Sequence, residues 1–164
     1  MCGIVGQLNF DNSPVSSVIL KKMTDAIKHR GPDGEGHWID GNIGLGHRRL
    51  SIIDLSPAGH QPMISSDHRY ALTYNGEIYN FKELRAELEA KGYWFRSQTD
   101  SEVVLYALAE WGSDALLKFN GMFALAFWDR KEKQLLLARD RYGIKPLYYY
   151  QDEKKLVFGS EQKS

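Results

Sequence analysis

Ile4, Val5, Leu8 and Phe10 lie between Gly3 and the turn Asp11-Asn12-Ser13-Pro14, and the segment from Ile4 to Phe10 reads as a buried strand. The spacing then changes. Val15, Val18, Ile19, Met23, Ala26 and Ile27 recur with a helical period after turn residues suited to a cap. Lys28, His29 and Arg30 fall in the last turn, where the helix dipole favours cations. Gly31-Pro32-Asp33-Gly34-Glu35-Gly36 breaks the helix. Its glycines are spaced in the reverse order of the dinucleotide fingerprint, so the segment reads as a loop before it reads as a phosphate cradle. Short strands are expected at 36–39 and 43–47 around the hairpin turn Asp40-Gly41-Asn42.

Residues 50–55 are apolar enough to be buried, and 56–62, with two prolines and a glycine, form a loop. A strand over 70–74 is followed by Asn75-Gly76, which reads as a turn feeding a helix capped by Asn80 with Glu83 three residues on. Phe81, Leu84 and Leu88 give that helix its buried face and Gly92 ends it; a short strand is expected at 93–96. Thr99-Asp100-Ser101-Glu102 matches a capping box before a second helix, with Val104, Ala107, Leu108 and Trp111 as its stripe. Four β-type runs, 122–128, 134–139, 147–150 and 156–158, predict an antiparallel meander, and Tyr148-Tyr149-Tyr150 reads as strand and core. Strands at both ends with helices between them predict an α+β domain with helices layered on antiparallel sheets.

Composition narrows the classes. A chain of 164 residues with 43% apolar and 26% charged residues suits one globular domain spanning 1–164. Lys and Arg balance Asp and Glu at 21 each, so no net field recruits nucleic acid or an anionic membrane. No apolar run approaches ~18 residues and the N-terminus lacks a basic n-region, so no transmembrane helix or signal peptide is expected, and a cytoplasmic, reduced setting is the default. The five histidines show no metal-ligand spacing, so no metal site is expected.

The single cysteine, Cys2, excludes an internal disulfide and stands where removal of Met1 would make it the N-terminus. A lone cysteine is more often a small apolar residue entering a core strand. At a free N-terminus, however, one residue would supply both a thiol nucleophile and an amine base titrating near ~7.7–8.0. With Met1 attached, that nitrogen is an amide and has no basicity to offer.

Six segments in register extend this reading. They are Cys2-Gly3-Ile4, residues 29–34 (HRGPDG), 49–54 (RLSIID), 74–80 (YNGEIYN), 99–102 (TDSE) and 139–148 (RDRYGIKPLY). Together they resemble the class II glutamine amidotransferase domain, most of all the N-terminal glutaminase half of glutamine-hydrolysing asparagine synthetase. The resemblance implies the N-terminal nucleophile hydrolase fold, a four-layer αββα sandwich of antiparallel sheets. It implies that Cys2 attacks the side-chain amide of L-glutamine, that Asn75 and Gly76 form the oxyanion hole, and that Arg49, Glu77 and Asp100 read the α-carboxylate and α-ammonium, with contacts around Leu50, Ile52 and Ile53. Arg49 as a surface ion pair, Glu77 as a solvated carboxylate and Asp100 as a dipole-favoured helix residue are the plain alternatives. The partner implied is an ammonia-accepting synthetase domain or subunit, with a homodimer as a further arrangement. ATP and Mg would belong to that synthetase domain, whose Ser-Gly-Gly-x-Asp-Ser loop is missing here, and none is expected in this one. A catalytically inactive docking domain, an amidase acting on another amide, and a glutaminase serving aminosugar or nucleotide synthesis are the other readings.

Overall fold

The computed structural model describes residues 1–50 and 59–164. In chain order these form β1 (Gly3–Asn9), α1 (Ser17–Ala26), β2 (Gly34–Asp40), β3 (Ile43–Arg49), β4 (Met63–Ile64), β5 (Tyr70–Ile78), α2 (Phe81–Ala90), α3 (Asp100–Trp111), the single-turn α4 (Ala115–Lys118), β6 (Gly121–Asp129), β7 (Gln134–Arg139), β8 (Tyr148–Gln151) and β9 (Lys155–Gly159). The expected burial of 50–55 falls largely outside the described residues.

Two antiparallel sheets lie face to face, one in the order β2-β3-β1-β9-β8 and the other β4-β5-β6-β7. Between them pack Ile43, Leu45, Ala71, Ala126, Trp128 and Phe158. On the outer face of the first sheet α1 presents Leu20, Met23 and Ile27 to Val5, and Gly46 of β3 lets it come close, since a Cβ there would lie 2.7 Å from Thr24 Cγ2. On the outer face of the second sheet, α2 and α3 bury Leu84, Leu88, Val104 and Leu108 against Leu72, Tyr74 and Leu125. The result is the expected four-layer αββα arrangement. Among the described residues no helix is long and apolar enough to cross a membrane.

Several local expectations are corrected. α1 is capped by Ser16, and its buried face is Leu20, Met23 and Thr24, while Val18 and Ile19 point to solvent. Asn75-Gly76 is no turn: β5 runs on to Ile78, with Asn75 opposite Ala124 and Gly76 opposite Phe123. Asn80 precedes α2 but its side chain bonds elsewhere, accepting from Asn120 N at 3.0 Å and donating to Lys118 O at 3.0 Å. Residues 93–96 form no strand, because the Glu102 carboxylate takes the N–H groups of Arg96 and Ser97 that a strand would need for pairing. The C-terminal runs are not one meander; β6 and β7 belong to one sheet, β8 and β9 to the other. Tyr148, Tyr149 and Tyr150 form the expected strand but are all exposed, since β8 is a sheet edge.

Candidate active site

β1 begins at the rung where Gly3 pairs with Arg48, which leaves Cys2 at the open end of the central strand. The thiol is half-buried. Leu50 N donates to Cys2 Sγ at 3.3 Å, and the thiol itself lies 3.5 Å from Leu50 O. Arg30 Nε donates to the Cys2 carbonyl at 3.1 Å, and Arg30 Nη1 pairs with Glu161 at 3.0 Å. Two residues farther along, Ile4 N donates to Ser160 Oγ at 2.9 Å and Ile4 O accepts from Ser160 N at 2.9 Å. The C-terminal segment therefore clamps the strand that carries the thiol. Burial alone would raise the Glu161 pKa, but hydrogen bonds from Arg30, His29 and Lys163 outweigh it and bring it down to about 2.

Cys2 opens onto a cavity of about 220 Å³ whose walls include Arg49, Leu50, Asn75, Gly76, Glu77 and Asp100. The predicted residues thus come from β1, β3, β5 and α3 to one place. Ile52 and Ile53 lie outside the described residues. Alternation along β5 sends Thr73 toward the facing sheet, where its hydroxyl donates to Gly46 O at 3.2 Å, and sends Tyr74 toward α3. Asn75 is buried at 2% exposure, and its Nδ2 has no hydrogen-bond partner among the described residues. A donor buried without a partner is costly, by about 1–3 kcal/mol. Gly76 admits no side chain, since a Cβ there would lie 2.5 Å from Met122 O.

Asp100 is the first residue of α3, but the cap is Thr99, whose hydroxyl accepts from Glu102 N at 3.4 Å. The Asp100 carboxylate instead ties the helix to β5, accepting from Tyr74 Oη at 2.7 Å and from Ile78 N at 3.0 Å. Burial raises its pKa above the usual carboxylate range, against the opposing hydrogen bonds from Tyr74 and Ile78. Burial also holds the Tyr74 phenol well above its ordinary value. His47, opposite Ile4 in the ladder, is fully buried, and its pKa falls to about 3, chiefly from burial. It is neutral near pH 7, and its Nε2 donates to Tyr74 O at 3.1 Å.

Sequence reasoning missed His47, Gln61, Tyr74, Thr99, Ser101, Met122 and Lys145, all of which also line the cavity. Gln61 Oε1 accepts from Tyr74 N at 2.7 Å, bracing β5 from a loop expected only to be irregular. Tyr74 and Thr99 stand in segments already singled out, and their adjacency to Asn75 and Asp100 was the available signal. Lys145 lies in the 139–148 segment that carries part of the resemblance, but no role was attached to it there. Among the described residues no three His, Cys, Asp or Glu side chains converge as a metal cluster would.

The chain is similar to known proteins along its whole length. A family model described as a glutamine amidotransferase domain matches residues 1–164. The chain is 44% identical to asparagine synthetase [glutamine-hydrolyzing] 1 of Bacillus subtilis (strain 168), covering 100% of this chain and 26% of that protein. It is 40% identical to asparagine synthetase [glutamine-hydrolyzing] 3 of the same organism, covering 100% of this chain and 27% of that protein. The chain spans about a quarter of the length of these relatives. Among solved structures, the glutamine phosphoribosylpyrophosphate amidotransferase of B. subtilis, complexed with ADP and GMP, superposes with a TM-score of 0.80 at 21% identity, over 98% of this chain and 42% of that one.

Proposed function

The chain belongs to the glutamine amidotransferase domain family, and from that membership together with the cavity we propose that residues 1–164 are a single glutaminase domain that hydrolyses glutamine to glutamate and ammonia through a thioester on Cys2. The observation that carries this reading is the buried Nδ2 of Asn75, unpartnered among the described residues, in the same cavity wall as the Cys2 thiol. A donor left idle in the resting protein suits an oxygen that becomes anionic only during reaction, and losing such a donor typically costs ~2.7–4 kcal/mol of transition-state stabilisation.

Once Met1 is removed, the Cys2 amine takes the thiol proton and Sγ attacks the amide carbon. The carbonyl electrons move onto the oxygen, which meets Asn75 Nδ2 and the Gly76 N–H. Collapse breaks the C–N bond, the ammonium returns its proton to the leaving nitrogen, and ammonia departs from a thioester. Water then attacks, giving its proton to the amine; the second oxyanion collapses, the C–S bond breaks, and the thiolate recovers that proton as glutamate forms. The Arg49 fork meets the α-carboxylate, and Glu77 with Asp100 meets the α-ammonium. The domain works without metal or cofactor in the cytoplasm and supplies ammonia to an acceptor domain of asparagine synthetase type; the greater length of the relatives supports that partner.

Ammonia release by the Met1-free chain tests the reading. Glutamine should be turned over, asparagine and glutamine lacking its α-carboxylate should not, and Cys2→Ala should abolish release while retaining the fold. Turnover by Cys2→Ala would remove Cys2 from the mechanism.

A further inference from the structure

The segment after β7 is built around one carboxylate. Asp140 Oδ1 accepts from Tyr142 N at 3.1 Å and Ile144 N at 2.9 Å, and Oδ2 accepts from Lys145 N at 3.0 Å and Phe123 N at 3.2 Å. Asp140 N donates back to Phe123 O at 2.8 Å, and Arg139 Nε donates to Lys145 O at 2.9 Å. Phe123 is the ladder partner of Gly76. The loop is therefore fastened to the strand beside Gly76, and it delivers Lys145 to the cavity wall. Lys145 is only 7% exposed, and its ammonium makes no hydrogen bond or ion pair among the described residues. Its stem is buried while its ammonium has no counter-ion among the described residues, so an anion entering the cavity would find a cation there to pair with.

On the proposed reading, on which this inference rests, glutamine brings no group for Lys145. Its carboxylate is met by Arg49, which enters from β3 in the facing sheet, and its ammonium by Glu77 and Asp100. The reaction itself makes a second anion. Attack by Sγ places charge on the amide oxygen beside Gly76, and hydrolysis leaves a γ-carboxylate there. We propose that Lys145 is a catalytic residue, the cation that stabilises the oxyanion and then binds the γ-carboxylate of glutamate.

The test compares Lys145→Met and Lys145→Gln with Lys145→Arg in the Met1-free chain, with thermal unfolding as the check on fold. Loss of the cation should lower kcat by about 10²-fold and leave KM for glutamine within about threefold, because the charge develops after binding. Inhibition by glutamate should weaken, and Lys145→Arg should restore part of kcat. Alkylation of Cys2 provides a readout independent of glutamine. The rate with anionic iodoacetate relative to neutral iodoacetamide should fall about tenfold in Lys145→Met and Lys145→Gln and hold in Lys145→Arg. An unchanged ratio in a folded variant, or a KM that rises with kcat unaltered, would overturn the assignment. A chain inert toward glutamine whose alkylation ratio still depends on Lys145 would overturn the proposed function and leave Lys145 standing as the anion-binding residue of the cavity.

Discussion

A proton on His47 would sit in a side chain almost wholly removed from water, and burial ties this residue to acid sensitivity. The folded imidazole titrates near about 3, the unfolded one near 6.5. Between those values the unfolded chain binds a proton that the folded chain refuses, so stability is full above pH 6.5 and falls as pH drops toward 3. Across the window the loss is on the order of a few kcal/mol. His47→Gln should flatten that part of the profile, which denaturant midpoints at pH 7 and pH 4.5 would reveal; an identical drop in both proteins would assign the slope to other groups. Asp100 has the opposite sign. Its pKa is raised by burial, so its charge is a strain on the folded state, and Asp100→Asn keeps an acceptor for Tyr74 and Ile78. That variant should be at least as stable as the parent at pH 7. Loss of one charge-assisted bond, about 1.5–3 kcal/mol, should raise KM for glutamine by roughly 10–100-fold. Unfolding of Asp100→Asn would mean the carboxylate serves structure alone.

At the scale of elements, β5 is where local reading and tertiary pairing diverge. Asn-Gly is a strong hairpin signal, yet β6 supplies a partner along the whole of β5, and ladder bonds to Ala124 and Phe123 hold Asn75 and Gly76 extended. The strand's alternation then does what a turn could not, pointing Asn75 into the space between the sheets. Gly76 serves close approach here. Gly76→Ala would push a methyl onto Met122 O, at 2.5 Å, and onto the Tyr74 ring at 2.7 Å. We expect a loss of about 1–3 kcal/mol in stability from overpacking, with a larger fall in ammonia release because the N–H beside it moves. Equal kcat in a destabilised but folded variant would take Gly76 out of the oxyanion site. α3 shows the same tertiary override. Its expected stripe of apolar positions became burial of nearly the whole helix, from Asp100 through Leu108, because β5 and α2 enclose it.

For the whole molecule, residues far apart in sequence support the strand that follows the thiol. Ser160 and Glu161 brace β1 and Arg30, while Met1 lines the cavity. An attached Met1 leaves the Cys2 nitrogen an amide and takes up space beside the thiol. A preparation retaining it should be slower by at least the ~10²–10⁴-fold that general-base assistance supplies, and should gain activity on methionine aminopeptidase treatment. Intact-mass spectrometry beside the ammonia assay decides this, and full activity with Met1 in place would sink the N-terminal amine as base.

The sequence alone determined what depends on short-range chemistry: the strand run of β1, the Thr99 cap and the helical periods of α2 and α3, while Cys2, Arg49, Asn75, Gly76, Glu77 and Asp100 stood out through the family resemblance of the segments that hold them. Each is legible because its signal spans a few neighbouring residues. Tertiary structure decided which β-runs share a sheet, since β7 and β8 are consecutive yet lie in different sheets, and a strand's partner is chosen by long-range burial. It also decided that Asn75 keeps a buried donor without a partner among the described residues, and that Lys145, from a turn-rich loop, lines the cavity. The place of Lys145 arises from Asp140 accepting from Phe123 N across the fold, a pairing set by tertiary contact.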